Sequence, residues 1–516
     1  MPARKVRSDI ISITTGKKRI LLQHWALALA IIAMIGIHFW RIGQVPQGLF
    51  ADETSIGYNA YLIASTYKNE HGQFLPLFFS AFGDYRSPLF IYGAAMVFAA
   101  VGSSTAALRA TGVLFYTVTL VSLVCLTMTF SKKRSVAFYM VFAAGLVPWL
   151  FTVSRIGFEV ASFPPMVALS LLAVAQLWKH VSRHSAYPYA MLGGFCIAMT
   201  LYTYGTSRVL GFVMIATLAV MLAWHRQWRT ALLSVAAFAV TAMPYMVYGI
   251  LHPAHLTVRF RSMTYVYDHT LYFWQKVSMF FWNYIAHFSP DFLLLHGDLN
   301  TRHATGVGGE VYWIIVILCF AGIGWFLGTK RLRQDPFLQF TFIGLLFSPV
   351  GSALTTDSIP HAFRSIPMVL YMLLFSVVGL SQLLAAVASR WRIIMIIVLT
   401  ILFAEATVFL YDYFSERYAV ASRKVFETYG MEESLAQART LGPDAVIISP
   451  SINYTAVKFF SITQRVPRIM HGEQLPRMGN CYLFRAHESP KWENSALRSV
   501  DIGSAGAMIR GRCFLP

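Results

Sequence analysis

Apolar residues are gathered along the chain into runs of roughly twenty, the length of helix that crosses the hydrocarbon core of a bilayer. About eleven such runs read as spans, at 20–40, 108–130, 135–153, 160–178, 188–204, 208–224, 230–250, 310–328, 336–354, 364–387 and 393–411. Two longer stretches, 41–107 and 251–309, interrupt this pattern. Inside the first, 56–66 is amphipathic and 89–101 is apolar but short for a crossing, so both are expected as helices in or on the membrane interface. After the last run the composition turns polar. A helical stretch over 423–439, a strand-like Ala445-Val446-Ile447-Ile448 and a helix after Ser451 predict a small α/β domain. The expected architecture is therefore an all-α polytopic membrane protein with a small α/β C-terminal domain. Its parts are a tail at 1–19, a transmembrane domain at 20–411 and the C-terminal domain at 412–516.

Composition supports this pattern. Of the 516 residues 56% are hydrophobic and 13% charged, and the mean hydropathy of +0.56 excludes an ordinary water-soluble fold. A net charge of +19 could suggest nucleic acid, but the basic residues form short clusters between apolar runs rather than one face of a soluble element. No nucleic-acid partner is expected; the implied partner is the lipid bilayer. The clusters are Lys132-Lys133-Arg134, Lys179 with Arg183, Arg226 with Arg229, Lys330 with Arg331 and Arg333, and Arg390 with Arg392. The positive-inside rule puts all of them in the cytoplasm with the N-terminus, which requires even numbers of crossings between neighbours and leaves 89–101 uncrossed. Residues 41–107, 251–309 and the C-terminal domain then lie outside a cell (inner) membrane that the chain crosses many times. Lys17-Lys18-Arg19 precedes the first run and no small-residue cleavage site follows it, so the run is expected to stay as an anchor. Of five cysteines, Cys125, Cys196 and Cys319 sit in apolar runs; Cys481 and Cys513 lack zinc-like spacing and could pair as a disulfide in an oxidising compartment.

The acidic residues are asymmetric. Before position 412, Asp9 and Asp335 fall inside and Glu405 within the last span, where it reads as an interhelical hydrogen-bonding residue. The rest are external, and carboxylates near the hydrocarbon boundary point to a functional face. Short external turns bring together Arg155 with Glu159, Tyr204 with Arg208, and Asp357 with His361 and Arg364. The pair Asp52-Glu53 follows the first span directly. One carboxylate there could deprotonate a hydroxyl while the other orients a substrate or a divalent cation; equally, the pair could simply cap the following helix. In Asp84-Tyr85-Arg86-Ser87-Pro88 the arginine could clamp a phosphate or anchor at headgroups. His296, Asp298, Arg302 and His303 crowd into eight positions with chemistry suited to a phosphate or a metal, although two His and one Asp make an incomplete set that names no ion. His361 and Arg364 would share one helix face. Arg155 and Arg208, at span ends, read as site residues or as snorkelling cations.

These segments carry a resemblance. FADETSIGYNAY at 50–61, DYRSPLFIY at 84–92 and Arg109 opening the next span resemble the first external loop of glycosyltransferase family 39, in its bacterial branch. So do SRIGFE at 154–159, LYTYGTSR at 201–208, HGDLNTRH at 296–303 and LTTDSIPHAFR at 354–364. That family includes the dolichyl-phosphate-mannose protein mannosyltransferases and the lipid A aminoarabinose transferases. The resemblance covers about 20–411 and implies a GT-C fold. It further implies an inverting transfer from a polyprenyl-phosphate-linked sugar to an acceptor hydroxyl on a glycan, lipid or protein. Asp52 would be the general base, Glu53 would assist, and Arg86 would meet the lipid phosphate; Arg302 and Arg364, from their side-chain chemistry rather than from the resemblance, are further candidates for that phosphate. Asp84, Tyr85, Glu159, Arg155, Arg208, His296, Asp298, His303, Asp357 and His361 complete the candidate set, and a divalent cation is the one cofactor the donors admit. The chain departs from the lipid A enzymes in having Arg86-Ser87-Pro88 where they have Lys-Pro-Pro, and it lacks the luminal insertion of the protein mannosyltransferases. The competing readings are a transporter or flippase of lipid-linked sugars, which would need polar residues at the membrane midplane, and an oligosaccharide ligase.

Overall fold

The computed structural model describes residues 22–514 apart from 132, 444, 467–468, 472–478, 489–498 and 505. Eight described helices are long and apolar enough to cross a bilayer, beginning with α1, Leu22–Phe39. A ninth is the pair Arg134–Leu146 and Pro148–Ser154, bent by 56° where Pro148 removes a helix hydrogen bond. The runs expected at 188–204 and 310–328 fall on shorter helices: Tyr187–Met199, continued by one 3-10 turn, and Trp313–Gly328. Lipid gives no hydrophobic reward for helix pairing, so close approach depends on small residues. A Cβ on Gly322 would collide with the Phe375 carbonyl oxygen, and one on Gly379 with that of Leu318. Trp313–Gly328 and Pro367–Ala386 thus touch backbone to backbone. Glu405 accepts from the Trp313 and Ile314 N–H groups at 2.8 and 3.4 Å, so the intramembrane carboxylate caps a neighbouring helix.

The basic clusters converge on one end of the bundle. Arg134 donates to Gln23 at 2.6 Å, Lys133 to the Leu384 carbonyl at 3.3 Å, and Phe130, Lys179, His225 and Asp335 line a second cavity. At the other end lies the first loop: helix α2 (Ala51–Thr66), a β-hairpin, and α3 (Pro88–Val101), followed by the long helix α4 (Thr105–Phe130). The hairpin pairs β1 (Phe79–Ala81) with β2 (Asp84–Arg86) in the register Phe79↔Arg86 and Ala81↔Asp84. Phe82 and Gly83 connect them with φ of 54° and 74°, the two-residue turn whose twist matches antiparallel strands. The second long loop also carries helices, Pro253–Met263 and Phe273–Ala286. On the latter, Phe273, Trp274, Phe281, Trp282 and Ile285 are exposed, the composition of a helix lying at a membrane interface.

After the last span comes a five-stranded sheet in the order β4-β3-β5-β7-β6, comprising β3 (Ala445–Ile448), β4 (Ile469–His471), β5 (Asn480–Arg485), β6 (Ser499–Ile502) and β7 (Ile509–Phe514). β3 runs parallel to β4 and β5, while β7 is antiparallel to β5 and β6. The helix expected over 423–439 occupies Met431–Thr440 and the one after Ser451 occupies Tyr454–Thr463. Cys481 and Cys513 face each other across β5 and β7 and are bonded. This domain rests on α2. A Cβ on Gly57 would lie 2.5 Å from the Phe459 ring, Thr54 and Thr455 share a hydrogen bond of 2.9 Å, and Thr428 bonds both the N–H and the carbonyl of Leu49.

Candidate active site

The first turn of α2 separates the adjacent carboxylates. Successive helical residues point about 100° apart, so Asp52 and Glu53 face different surroundings. Glu53 turns inward and is fully buried. It accepts from Arg109 Nε at 3.1 Å, from the Gly157 N–H at 2.7 Å and, reaching back across the helix start, from the Phe50 N–H at 3.3 Å. Arg109, also fully buried, donates onward to the Pro46 carbonyl at 2.7 Å and to that of Gly48. Asp52 instead stands at the wall of a cavity of about 570 Å³.

The hairpin supplies that cavity's charge. Residues two apart on a strand share a face, so β2 turns Asp84 and Arg86 the same way. Arg86 Nη2 meets Asp52 Oδ1 at 2.6 Å and its Nη1 lies 3.8 Å from Asp84, which Arg259 approaches at 3.5 Å. Arg86 Nε is buried without a partner among the described residues. Burial opposes the Arg86 charge, but Asp52, Glu159 and Asp84 around it hold the guanidinium pKa above its ordinary value. Glu159 is buried at the cavity wall and accepts from the Ser87 N–H that opens α3.

The facing wall comes from the other external segments. Arg364 is held by Thr355 at 2.8 Å and by the Asp357 carboxylate at 3.0 Å. Arg208 donates to the Leu256 carbonyl at 2.9 Å and lies over the Phe78 and Tyr245 rings, its Nε buried and unpartnered. Arg302 lies 4.9 Å over the Phe50 ring. Tyr85 stacks on His255 with ring centres 3.9 Å apart. Among the described residues, five arginines and four carboxylates line the space. Behind them, buried Asp298 accepts from His303 Nδ1 at 2.6 Å and from the Ala362 N–H at 2.8 Å. Burial disfavours its charge, yet His303 and these bonds keep the Asp298 carboxyl below the usual carboxylate range. Glu310 behind it is pushed well up by burial and by Asp298.

Eleven of the candidate residues therefore line one cavity: Asp52, Asp84, Tyr85, Arg86, Glu159, Arg208, Arg302, His303, Asp357, His361 and Arg364. Four do not. Glu53 is occupied by Arg109, so its expected contact with acceptor or metal is replaced by an anchoring one. Arg155 is fully buried, donating to the His38 carbonyl at 2.6 Å and that of Val45 at 3.1 Å beneath the Phe151, Tyr413 and Phe414 rings; it neither snorkels nor faces the cavity. His296 is exposed and paired with Asp291. Asp298 lies one layer back, reaching the cavity through His303. The sequence reading missed Arg259 and His255, which also line the space. A signal was present: Arg259 and Arg261 are basic residues in a loop assigned to the outside, against the positive-inside trend.

The arrangement is that of a polytopic membrane fold with a charged, part-apolar cavity at the end opposite its basic loops. No family model matches the chain and no curated protein does. Among solved structures, ArnT from Cupriavidus metallidurans in the apo state is similar over 96% of this chain and 98% of its own, with a TM-score of 0.56 and 11% identity. The same protein bound to undecaprenyl phosphate is similar over 94% and 97%, with a TM-score of 0.55 and 12% identity. The apo oligosaccharyltransferase of Archaeoglobus fulgidus is similar over 87% of this chain and 64% of its own, with a TM-score of 0.51 and 12% identity. The shared fold is the GT-C membrane fold expected from the sequence.

Proposed function

We propose that this chain is a membrane glycosyltransferase that moves a sugar from a polyprenyl-phosphate donor to an acceptor hydroxyl, with inversion, on the extracytoplasmic side of the cell (inner) membrane. The observation that carries this reading is the 2.6 Å contact between Asp52 and Arg86 at the wall of a cavity into which further arginines open. A displacement at the anomeric carbon needs a base on the attacking side and cations on the leaving group. Arg86, Arg302 and Arg364 would hold the phosphate. A phosphate on Arg86 competes with Asp52 for the same guanidinium, so donor binding releases the carboxylate. Asp52 then takes the acceptor proton as the acceptor oxygen bonds to the anomeric carbon, and the electron pair of the broken carbon–oxygen bond leaves on the lipid phosphate. That ArnT, which has this fold, has been seen with undecaprenyl phosphate supports the donor class. Sidedness rests on the basic loops gathered at the opposite end. The transporter reading gains nothing from Glu405, the carboxylate inside the last span, because it caps the end of a neighbouring helix.

The test is binding and turnover by the purified full-length chain. Decaprenyl phosphate should bind, and Arg86→Gln should weaken that binding by about 10- to 100-fold, the value of a charged hydrogen bond of about 1.5–3 kcal/mol. A labelled polyprenyl-phosphate hexose, given envelope extract as acceptor, should lose its sugar to the extract. Transfer only from a polyprenyl-diphosphate oligosaccharide would instead select the ligase reading. Unchanged lipid-phosphate affinity in Arg86→Gln would remove the arginine from the donor site.

A further inference from the structure

Behind the cavity, three side chains from two distant segments converge with the donor chemistry of a metal centre. The Asp298 carboxylate and the two imidazoles of His303 and His361 each offer one atom, all within 4.8 Å of one another, and all three residues are buried. His303 Nδ1 lies 2.6 Å from Asp298 Oδ2, and His361 Nδ1 lies 3.9 Å from the same oxygen. His361, only 6% exposed, leaves its Nδ1 with no hydrogen-bond partner among the described residues. A buried ring nitrogen aimed at a carboxylate yet too far to bond it is an unfavourable arrangement unless something stands between them.

From these contacts we infer a divalent transition-metal site, of the kind zinc occupies, formed by Asp298, His303 and His361. Tetrahedral zinc with bonds of about 2.0–2.1 Å separates its ligand atoms by about 3.3 Å. The two observed separations bracket that length, so an ion would open the shorter contact and close the longer one, giving the orphan nitrogen its partner. Hydrogen bonds already hold the ligating carboxylate and the backbones of two of the three ligands in place. Asp298 Oδ1 accepts from the Asn300 N–H at 2.9 Å, Glu310 accepts from the Asp298 N–H at 2.9 Å, and His287 Nε2 accepts from the His361 N–H at 3.3 Å. Three protein ligands would leave one tetrahedral position free, and both imidazoles line the cavity, so the site borders it. The ion would also tie residues 298–303, which carry Arg302, to residues 361–364, which carry Arg364. The inference stands apart from the transferase reading, since donor chemistry and burial alone define the ligand set.

The test uses the full-length chain, stripped with chelator, reloaded with zinc and washed. Elemental analysis should return close to one zinc per chain, and His361→Gln and Asp298→Asn should each return close to none. Cobalt loading of the wild type should give the intense visible bands of a tetrahedral nitrogen and oxygen site, and zinc should raise the melting temperature of the wild type but not of His361→Gln. Metal retained equally by both variants would place it elsewhere, for instance at exposed His296, and overturn the proposal. If the variants fail to fold, the wild type decides alone: without stoichiometric zinc and tetrahedral cobalt bands, the Asp298–His303 contact is a plain hydrogen-bonded pair and there is no metal site.

Discussion

Asp52→Asn is expected to lower the turnover of a polyprenyl-phosphate sugar by about 10²- to 10⁴-fold, the usual contribution of a positioned general base. Asparagine keeps the shape and a hydrogen bond to Arg86 but cannot take a proton. Lipid-phosphate affinity should move the other way or not at all. In the wild type Asp52 holds Arg86 at 2.6 Å, and a neutral side chain competes less with an incoming phosphate. Rate lost with affinity retained or improved is the signature of a base; rate and affinity lost together would indicate that Asp52 only fixes the arginine. Turnover near the wild-type rate would exclude the base. Single-turnover rates beside equilibrium binding of decaprenyl phosphate separate these outcomes.

The Asp52-Glu53 pair also marks what the sequence could and could not reveal. From residues alone the pair reads equally as chemistry or as a helix start, and the structure divides the two: Glu53 reaches back to the Phe50 N–H while Asp52 faces the cavity. Glu53 has the helix-start role and Asp52 is left facing the cavity, a division that rotation along a helix allows and a reading of the pair as a unit conceals. The spans are legible because apolar runs of bilayer length have few uses outside a membrane, and the fold class follows. The hairpin that aims Arg86 is not legible. Its turn is Phe82-Gly83, not the Asn-Gly or Asp-Gly that signals such a connection, and its strands are three residues each. Arg155 is ambiguous because a span-end arginine has the same sequence signature whether it snorkels to headgroups or, as here, collects backbone carbonyls beneath aromatic rings. The segment from Asp357 to Arg364 could be placed near the cavity because it falls in one of the short external turns that side-by-side spans bring together, with His361 and Arg364 on one helix face.

The position of the C-terminal domain links its stability to the site. Its helix Tyr454–Thr463 packs on α2, and Thr428 grips Leu49, three residues before Asp52. The start of α2 is thus held from outside by this domain and from inside by Glu53 and Arg109. A disturbance on either side reaches the orientation of Asp52 without touching the cavity.

The inner hold sets the largest expected effect on stability. Glu53 and Arg109 are both fully buried, and Arg109 also binds carbonyls from the turn that leads out of α1. Arg109→Met would strand a carboxylate in a site closed to water, a change that costs about 3–5 kcal/mol. Glu53→Gln should cost less, because a neutral amide can still accept from the Gly157 N–H or from the guanidinium. The double variant Glu53→Gln/Arg109→Met removes the stranded charge and should melt above Arg109→Met, since the two positions share one interaction and cannot add. Melting temperatures of the four proteins in one detergent measure this. An Arg109→Met protein that melts with the wild type, or a double variant that melts as the plain sum of the singles, would mean that α2 is fixed by the packing around Gly57 and not by the ion pair. In that case the first-turn geometry of Asp52 should also survive loss of the pair, and the turnover of Arg109→Met would remain near that of the wild type.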